Sequence, residues 1–284
     1  MPFLMPVKNC VISYSDASAT GCAALITLKQ GQEPLTTNYR FSETQIAASS
    51  TYRELFAVYH GLKNAKHLLK YTGIRWFTDN KNVVHIVSSM KLALHRLALQ
   101  IFELTRKYKI CLVMTWIPRS LNDQADLASR VIDYDDWYVS AKFFNFIQDK
   151  LGKMDIDRFA DEHNHNLPRF NTRFLTEGSE AIDAFTQNWA LAKNWLVPPT
   201  ILIPRALKYL KECSAMGILI VPVWHGSSFW PFIYDFLKNE QAVLKGQLTL
   251  GNIFSQGKNK NTIFGSTEYK SHTLVLLIDY RPVG

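Results

Sequence analysis

Val11-Ile12-Ser13-Tyr14-Ser15-Asp16-Ala17-Ser18 is the stretch on which the fold turns. β-Branched and aromatic residues alternate with small polar ones, the period of a half-buried strand. The run ends in one carboxylate, Asp16, and the small residues after it leave space beside that acid. Residues 21–28 predict a second strand after a short turn, and residues 36–41 a third, which together make an antiparallel meander. From residue 49 to 69 the period changes. Leu55, Val58, Tyr59, Leu62, Ala65 and Leu69 recur three and four apart, the spacing of a long amphipathic helix with Ser50 or Thr51 as its N-cap. Residues 74–78 predict a fourth strand ending at Asp79. Residues 82–90 and 91–108 predict helices, 110–116 a buried strand stopped by Pro118, and 122–130 a short closing helix. Strands in this order with helices between them make a mixed sheet with helices packed on it.

Four acids fall at telling places on that plan. Asp16 ends the first strand, Glu54 lies in about the first turn of the long helix, Asp79 ends the fourth strand, and Asp126 lies in the last helix. If the first and fourth strands are neighbours, Asp16 and Asp79 sit side by side at one edge of the sheet. Four carboxylates held close repel one another unless cations neutralise them. Hard oxygen donors suit Mg²⁺, with Mn²⁺ as a substitute. Two such ions about 4 Å apart activate a water and stabilise the leaving oxygen of a phosphodiester. Asp123, close to Asp126, reads as a helix cap rather than a ligand.

Composition sets the bounds. The chain has 284 residues, room for one large or two ordinary domains, and at 47% apolar and 13% aromatic it has enough for real cores. The net charge of +8 leans towards polyanions such as nucleic acid. The four cysteines lie far apart with no CxxC pair, which argues against zinc and for reduced, mostly buried thiols in an intracellular protein, cytoplasmic or nuclear. No charged-then-apolar leader opens the chain, and no run reaches the ~18 apolar residues of a membrane span.

Ser15-Asp16-Ala17-Ser18, Tyr52-Arg53-Glu54-Leu55, Thr78-Asp79-Asn80, Ile117-Pro118-Arg119 with Asn122, and Ala125-Asp126-Leu127-Ala128-Ser129-Arg130 resemble a type 1 ribonuclease H domain, in the form carried by reverse-transcribing elements. The resemblance covers about residues 7–130. It implies a ribonuclease H-like, mixed five-stranded sheet with helices over residues 1–131. It implies Asp16, Glu54, Asp79 and Asp126 as catalytic and metal-binding residues for two Mg²⁺ ions, and cleavage of the RNA strand of an RNA/DNA hybrid. Ser18, Asn80, Arg119 and Asn122 would contact the nucleic acid, and Glu54 would also face the 2′-hydroxyl that marks RNA. Many members carry a histidine in the loop before the last acid. Here that loop, residues 118–124, has none, and Arg119 or Asn122 would stand in. Lys81, Lys91, Arg96, Arg106, Lys107 and Lys109 are available for phosphates, or for an ordinary solvated helix face.

Residues 132–152 read as a helical linker, with Asp133, Asp135 and Asp136 as an acidic cap. From residue 153 strands near 155–159, 194–197, 217–223, 242–248 and 273–279 alternate with helices at 203–216 and 229–237. That pattern predicts a smaller doubly wound, Rossmann-like α/β domain over residues 153–284, with a mobile loop at 251–270. Ile156-Asp157-Arg158-Phe159-Ala160, Arg169-Phe170, Trp189 and Trp195-Leu196-Val197-Pro198-Pro199-Thr200 resemble, distantly, the phage-type DNA adenine methyltransferases. That family holds its target amine with Asn or Asp, Pro, Pro and an aromatic residue. Val197 and Thr200 occupy those outer places, so the resemblance implies a methyltransferase-like remnant without methyl transfer. The tandem is similar to polyproteins of DIRS-type tyrosine-recombinase retrotransposons, which implies an upstream reverse transcriptase and a recombinase of the same element as partners. Two functions stand at this point: a metal-dependent hybrid nuclease, or a weak or inactive module that binds nucleic acid without cutting it.

Overall fold

The computed structural model describes residues 10–89, 96–131, 137–256, 264, 266 and 268–282. The chain divides into two compact units: residues 1–132 with 174–177, and residues 133–173 with 178–284.

In the first unit β1 (Val11–Ala17), β2 (Gly21–Thr27) and β3 (Leu35–Arg40) form the antiparallel meander. A short α1 (Glu43–Ile46) follows, closed by a Ser42/Gln45 capping box. Then come α2 (Ser50–Ala65), β4 (Gly73–Thr78), α3 (Lys81–Ser88), α4 (Arg96–Tyr108), β5 (Cys111–Trp116) and α5 (Asp123–Ser129). The strand order is β3-β2-β1-β4-β5, with β4 parallel to both β1 and β5. Alternation in β1 does what the sequence pattern asks. Val11, Ser13 and Ser15 face the interior while Ile12 is exposed. Ser13 and Ser15 are tolerated there because each hydroxyl has a partner, the Leu25 carbonyl at 3.0 Å and the Trp76 indole N–H at 2.9 Å.

One face of the sheet is covered by α2 and α4, through Leu55, Val58 and Leu62 on the first and Leu97 and Ile101 on the second. Gly61 sets how closely α2 approaches. A Cβ there would lie 2.7 Å from both Ala24 Cβ and the Trp76 ring. The N-cap of α2 is Ser49, ahead of both expected caps, Ser50 and Thr51, and its hydroxyl accepts from Tyr52 N at 3.2 Å. The helix also stops at Ala65, four residues early, because the chain must turn into β4; Tyr71 takes a φ of 62° in that turn. Residues 90–95, and with them Lys91 and the start of the predicted helix 91–108, lie outside the described residues.

The second unit holds β6 (Trp137–Val139), α6 (Ala141–Leu151), β7 (Ile156–Asp157), β8 (Asn171–Thr172), β9 (Ala181–Ile182), β10 (Lys193–Leu196), α7 (Ile203–Glu212), β11 (Met216–Pro222), α8 (Trp230–Asn239), β12 (Leu244–Leu250), β13 (Phe254–Gln256) and β14 (Thr273–Asp279). Its main sheet runs β12-β14-β11-β10-β7. β7, β10 and β11 are parallel, and β14 is antiparallel to both its neighbours, so the predicted doubly wound sheet is a mixed one. Both faces are covered, which is why β11 reads as an unbroken apolar run. Leu219, Val221, Leu276 and Ile278 meet α7 and α8, while Ile218, Ile220, Val275 and Leu277 meet α6.

Three expectations change. The stretch 132–152 is not a linker from residue 137 onward, since α6 buries Phe144 and Ile147 in the core of the second unit. Residues 174–177 belong to the first unit: Leu175 N donates to Thr36 O at 2.8 Å, Glu177 N donates to Asn64 Oδ1 at 2.8 Å, and the Glu177 carboxylate pairs with Lys66. The cysteines are all free, but of the four only Cys22 is buried and Cys111 is exposed. Asp133, Asp135, Asp136 and much of the loop 251–270 lie outside the described residues. No described helix is long and apolar enough to cross a membrane.

Candidate metal centre

Parallel pairing of β1 with β4 brings two strand ends together, Asp16 on the first and Asp79 just past the second. α2 lies against β1 and β2, and its apolar face turns Glu54, one residue before Leu55, towards the same end. Asp16, Glu54 and Asp79 each offer a carboxylate oxygen within 4.8 Å of the others. Asp16 and Glu54 are buried and Asp79 is half-buried.

The electrostatics of this cluster are unfavourable as it stands. Burial, and then the neighbouring Asp16 and Asp79 charges, push the Glu54 carboxyl up to about 9. Burial raises Asp16 as well, opposed by a hydrogen bond from Ser129 and helped by the charges of Asp79 and Asp126. Behind them burial, Glu54 and Asp16 raise the Cys22 thiol well above its usual range. Glu54 Oε2 is buried and has no hydrogen-bond partner among the described residues. A buried carboxylate oxygen without a donor, facing two more carboxylates, fits a bound cation. Three carboxylates and no nitrogen or sulfur donor fit a hard divalent ion such as Mg²⁺ or Mn²⁺.

Asp126 is placed differently. It stands outside the cluster of three, although near enough for its charge to act on Asp16. Its Oδ1 accepts from Arg130 Nη2 at 2.7 Å and from Arg119 Nη2 at 3.0 Å. Those bonds, that of Arg130 foremost, hold its carboxyl below the usual range. The four acids therefore do not meet as one quartet. Three converge, and the fourth is neutralised by two guanidinium groups.

The four predicted nucleic-acid contacts also divide. Ser18 Oγ accepts from Gly21 N at 3.1 Å and lies 3.0 Å from the Gly21 and Ser129 carbonyls, so it builds the β1–β2 turn. Asn122 is buried and donates to the Ser15 carbonyl at 3.0 Å, which ties the start of α5 to the strand that carries Asp16. The Ser18 hydroxyl and the Asn122 amide N–H thus hold the site together, while Asn122 Oδ1 is buried without a partner among the described residues. Asn80 caps α3, accepting from Asn82 N at 3.0 Å and Val83 N at 3.3 Å. Arg119 is exposed, and its one described partner is Asp126.

Two residues act here that no role was expected for. Ser129 Oγ lies 2.9 Å from Asp16 Oδ2 and 2.8 Å from the Asp126 carbonyl, and its one proton serves them in turn. Arg130 is the stronger partner of Asp126. The signal was in the spacing: on a helix, residues three and four beyond Asp126 share its face.

Residues 7–106 match the RNase H-like domain found in reverse transcriptase. The match spans Asp16, Glu54 and Asp79 and stops before Asp126. Comparison with curated proteins gives no match. Among solved structures, the chain is similar to LC11-RNase H1, isolated from compost by a metagenomic approach, at 19% identity over 43% of this chain and 93% of that one, TM-score 0.37. It is similar to RNase H1 of the halophilic archaeon Halobacterium salinarum at 19% identity over 42% and 93%, TM-score 0.32. It is similar to the foamy viral protease-reverse transcriptase in complex with RNA/DNA hybrid at 14% identity over 46% and 20%, TM-score 0.36.

Proposed function

We propose that this protein is a divalent-metal-dependent endonuclease that hydrolyses the RNA strand of RNA/DNA hybrids. One observation carries the reading: Asp16, Glu54 and Asp79 converge to within 4.8 Å while Glu54 Oε2 stays buried without a donor. The match to the reverse-transcriptase RNase H-like domain over the same three residues supports it. Asp16, Glu54 and Asp79 hold the ions, with Ser129 orienting Asp16 and Asn122 anchoring the loop before α5 to β1. Bound there, Mg²⁺ ions supply an activated water and neutralise the charge that develops on the departing oxygen. Asp126 would serve as a fourth carboxylate for the ions where its bonds to Arg119 and Arg130 were given up, and those guanidinium groups would then face phosphates. The reading extends to origin: the chain is a part or remnant of a retrotransposon polyprotein, and its second unit does not transfer methyl groups, since Val197 and Thr200 offer no acceptor or stacking ring for a target amine.

A second reading is favoured by the state of Asp126. If Arg119 and Arg130 keep that carboxylate permanently, the protein binds hybrids without cutting them. A labelled RNA/DNA hybrid incubated with Mg²⁺ and wild type, beside Asp79→Asn, separates the two. RNA-strand cleavage by the wild type and none by the variant is the expected result. Equal products from both, or no products from either, reject the nuclease.

A further inference from the structure

We infer that Trp116 and Lys81 form a contact for the sugar–phosphate backbone of the nucleic acid, directly beside the metal centre. The inference rests on the proposed hybrid substrate and adds the residues that grip it. Trp116 is the last residue of β5, the edge strand of its sheet, and stands opposite Thr78, the residue before Asp79. Its indole N–H donates to the Asp79 carbonyl at 3.0 Å, so the ring is anchored to the backbone of a cluster acid. Yet the side chain is 42% exposed, an unusual place for the largest apolar side chain at the end of a strand. Lys81, the first residue of α3, holds its Nζ 4.4 Å from the ring centroid. One cation covers one face of an indole, and no other ring or cation among the described residues packs on the second.

An exposed ring alone is an ordinary surface feature. This one differs because it is fixed in direction by a hydrogen bond to the site, and because an ammonium without an acidic partner among the described salt bridges is stationed over it. A flat apolar surface beside a positive charge matches a nucleotide: the ring meets the sugar, and the ammonium meets the phosphate. In a hybrid helix the wide, shallow minor groove presents sugars to such a surface. The bond to the Asp79 carbonyl places the contact beside the metal centre.

The test is hybrid affinity of the full chain, read by fluorescence anisotropy with Ca²⁺ in place of Mg²⁺ to keep the strand whole, over a salt series. Trp116→Ala is expected to bind about 10-fold more weakly. Trp116→Phe keeps a ring and loses only the N–H bond, so it stays within about threefold of wild type. Lys81→Ala lowers the slope of log affinity against log salt by about one. Wild-type affinity in Trp116→Ala overturns the inference, and so does a Phe variant as weak as the Ala variant, since that assigns the ring a supporting role for Asp79. Should Trp116→Ala fail to fold, the Phe variant and the Lys81→Ala slope decide, and an unchanged slope overturns it. A wild type that binds no hybrid sinks the contact and the nuclease together. A wild type that binds through Trp116 but never cuts sinks the nuclease alone.

Discussion

Each unit of this molecule buries charge, and the two handle it in opposite ways. In the second unit the Arg158 guanidinium is buried, and amides surround it: Nε donates to Asn194 Oδ1 at 2.7 Å and Nη1 to Asn171 Oδ1 at 2.8 Å. Asn194 is locked in turn, its Nδ2 donating to the carbonyls of Trp189, Ala192 and Met216. Asp157 beside it accepts from Asn166 N at 3.1 Å. In the first unit three acids gather, their mutual repulsion only partly offset by the charges of Arg119 on Asp16 and Arg53 on Glu54, and Glu54 keeps an oxygen without a described partner. Amides around a lone guanidinium hold a fold together without gathering like charges, even though Asp157 Oδ1 and Asn171 Nδ2 are buried without a described partner. A cluster left open, all of one sign, holds a fold apart unless something positive arrives. The lesson is that burial by itself does not mark a site. Burial of like charges side by side does.

The comparison breaks first on activity. Glu54→Gln is expected to cut hybrid cleavage by about 10²–10³-fold, the scale of removing one electrostatic stabiliser, while Asp157→Asn, at a buried acid of the second unit, leaves it unchanged. Single-turnover rates on one labelled hybrid check both, and a cleavage loss in Asp157→Asn would erase the distinction. Stability comes next. Asn194→Ala strips a partner from Arg158 and a donor from three carbonyls, and is expected to cost about 3 kcal/mol in urea unfolding.

Metal sharpens the contrast from the other side. Mn²⁺ at about 100 times its dissociation constant adds about 2.7 kcal/mol to the stability of the wild type. Glu54→Gln should lose most of that gain in the same melting experiment, and a gain that survives the substitution would place the ion elsewhere. Packing supplies a control of opposite sign to propensity. Gly61→Ala favours an isolated helix by about 1 kcal/mol, but the Cβ would meet Ala24 and Trp76 at 2.7 Å, so a net loss of about 1–3 kcal/mol is expected.

The most gradual effect is a titration. Burial pushes Asp157 up to about 7 from an ordinary value of 3.8. The folded state therefore holds a proton that the unfolded chain has released. Stability from this group is complete below about pH 4 and is lost as pH rises through 7, with a slope of at most about 1.4 kcal/mol per pH unit. Asp157→Asn should flatten that part of the stability–pH curve, and added Mn²⁺ should not.

Strands β1 and β4 and helix α2 were legible because their burial is periodic, and period is a property of the chain alone. β2 is buried throughout, and β5, expected as a buried strand, is a largely exposed edge strand, because its place in the sheet is set by pairing and not by its own apolar run. The acids Asp16 and Asp79 were legible for the same reason, each standing where a strand runs out. Asp126 was legible as an acid on a helix, but its direction was not, because a rotamer answers to neighbours such as Arg119 and Arg130 that compete for it. The backbone bonds of Asn122 and Ser18 were not legible, because polar residues near a site look alike whether they face a ligand or the backbone. The excursion of residues 174–177 to the edge of β3 left no mark in local sequence, since its partners, the Thr36 carbonyl and the Asn64 and Lys66 side chains, stand far away in the chain.

From the order of residues alone came a mixed sheet, a long amphipathic helix and a shortlist of acids, since local pattern encodes which face is buried. Only the folded arrangement decided that three of those acids share one space, that the fourth is held by arginines, and that an indole leans on the backbone of Asp79. The physical reason is distance: charge and hydrogen bonding act over a few ångströms, and which groups stand that close is settled by strand pairing and packing between segments tens of residues apart.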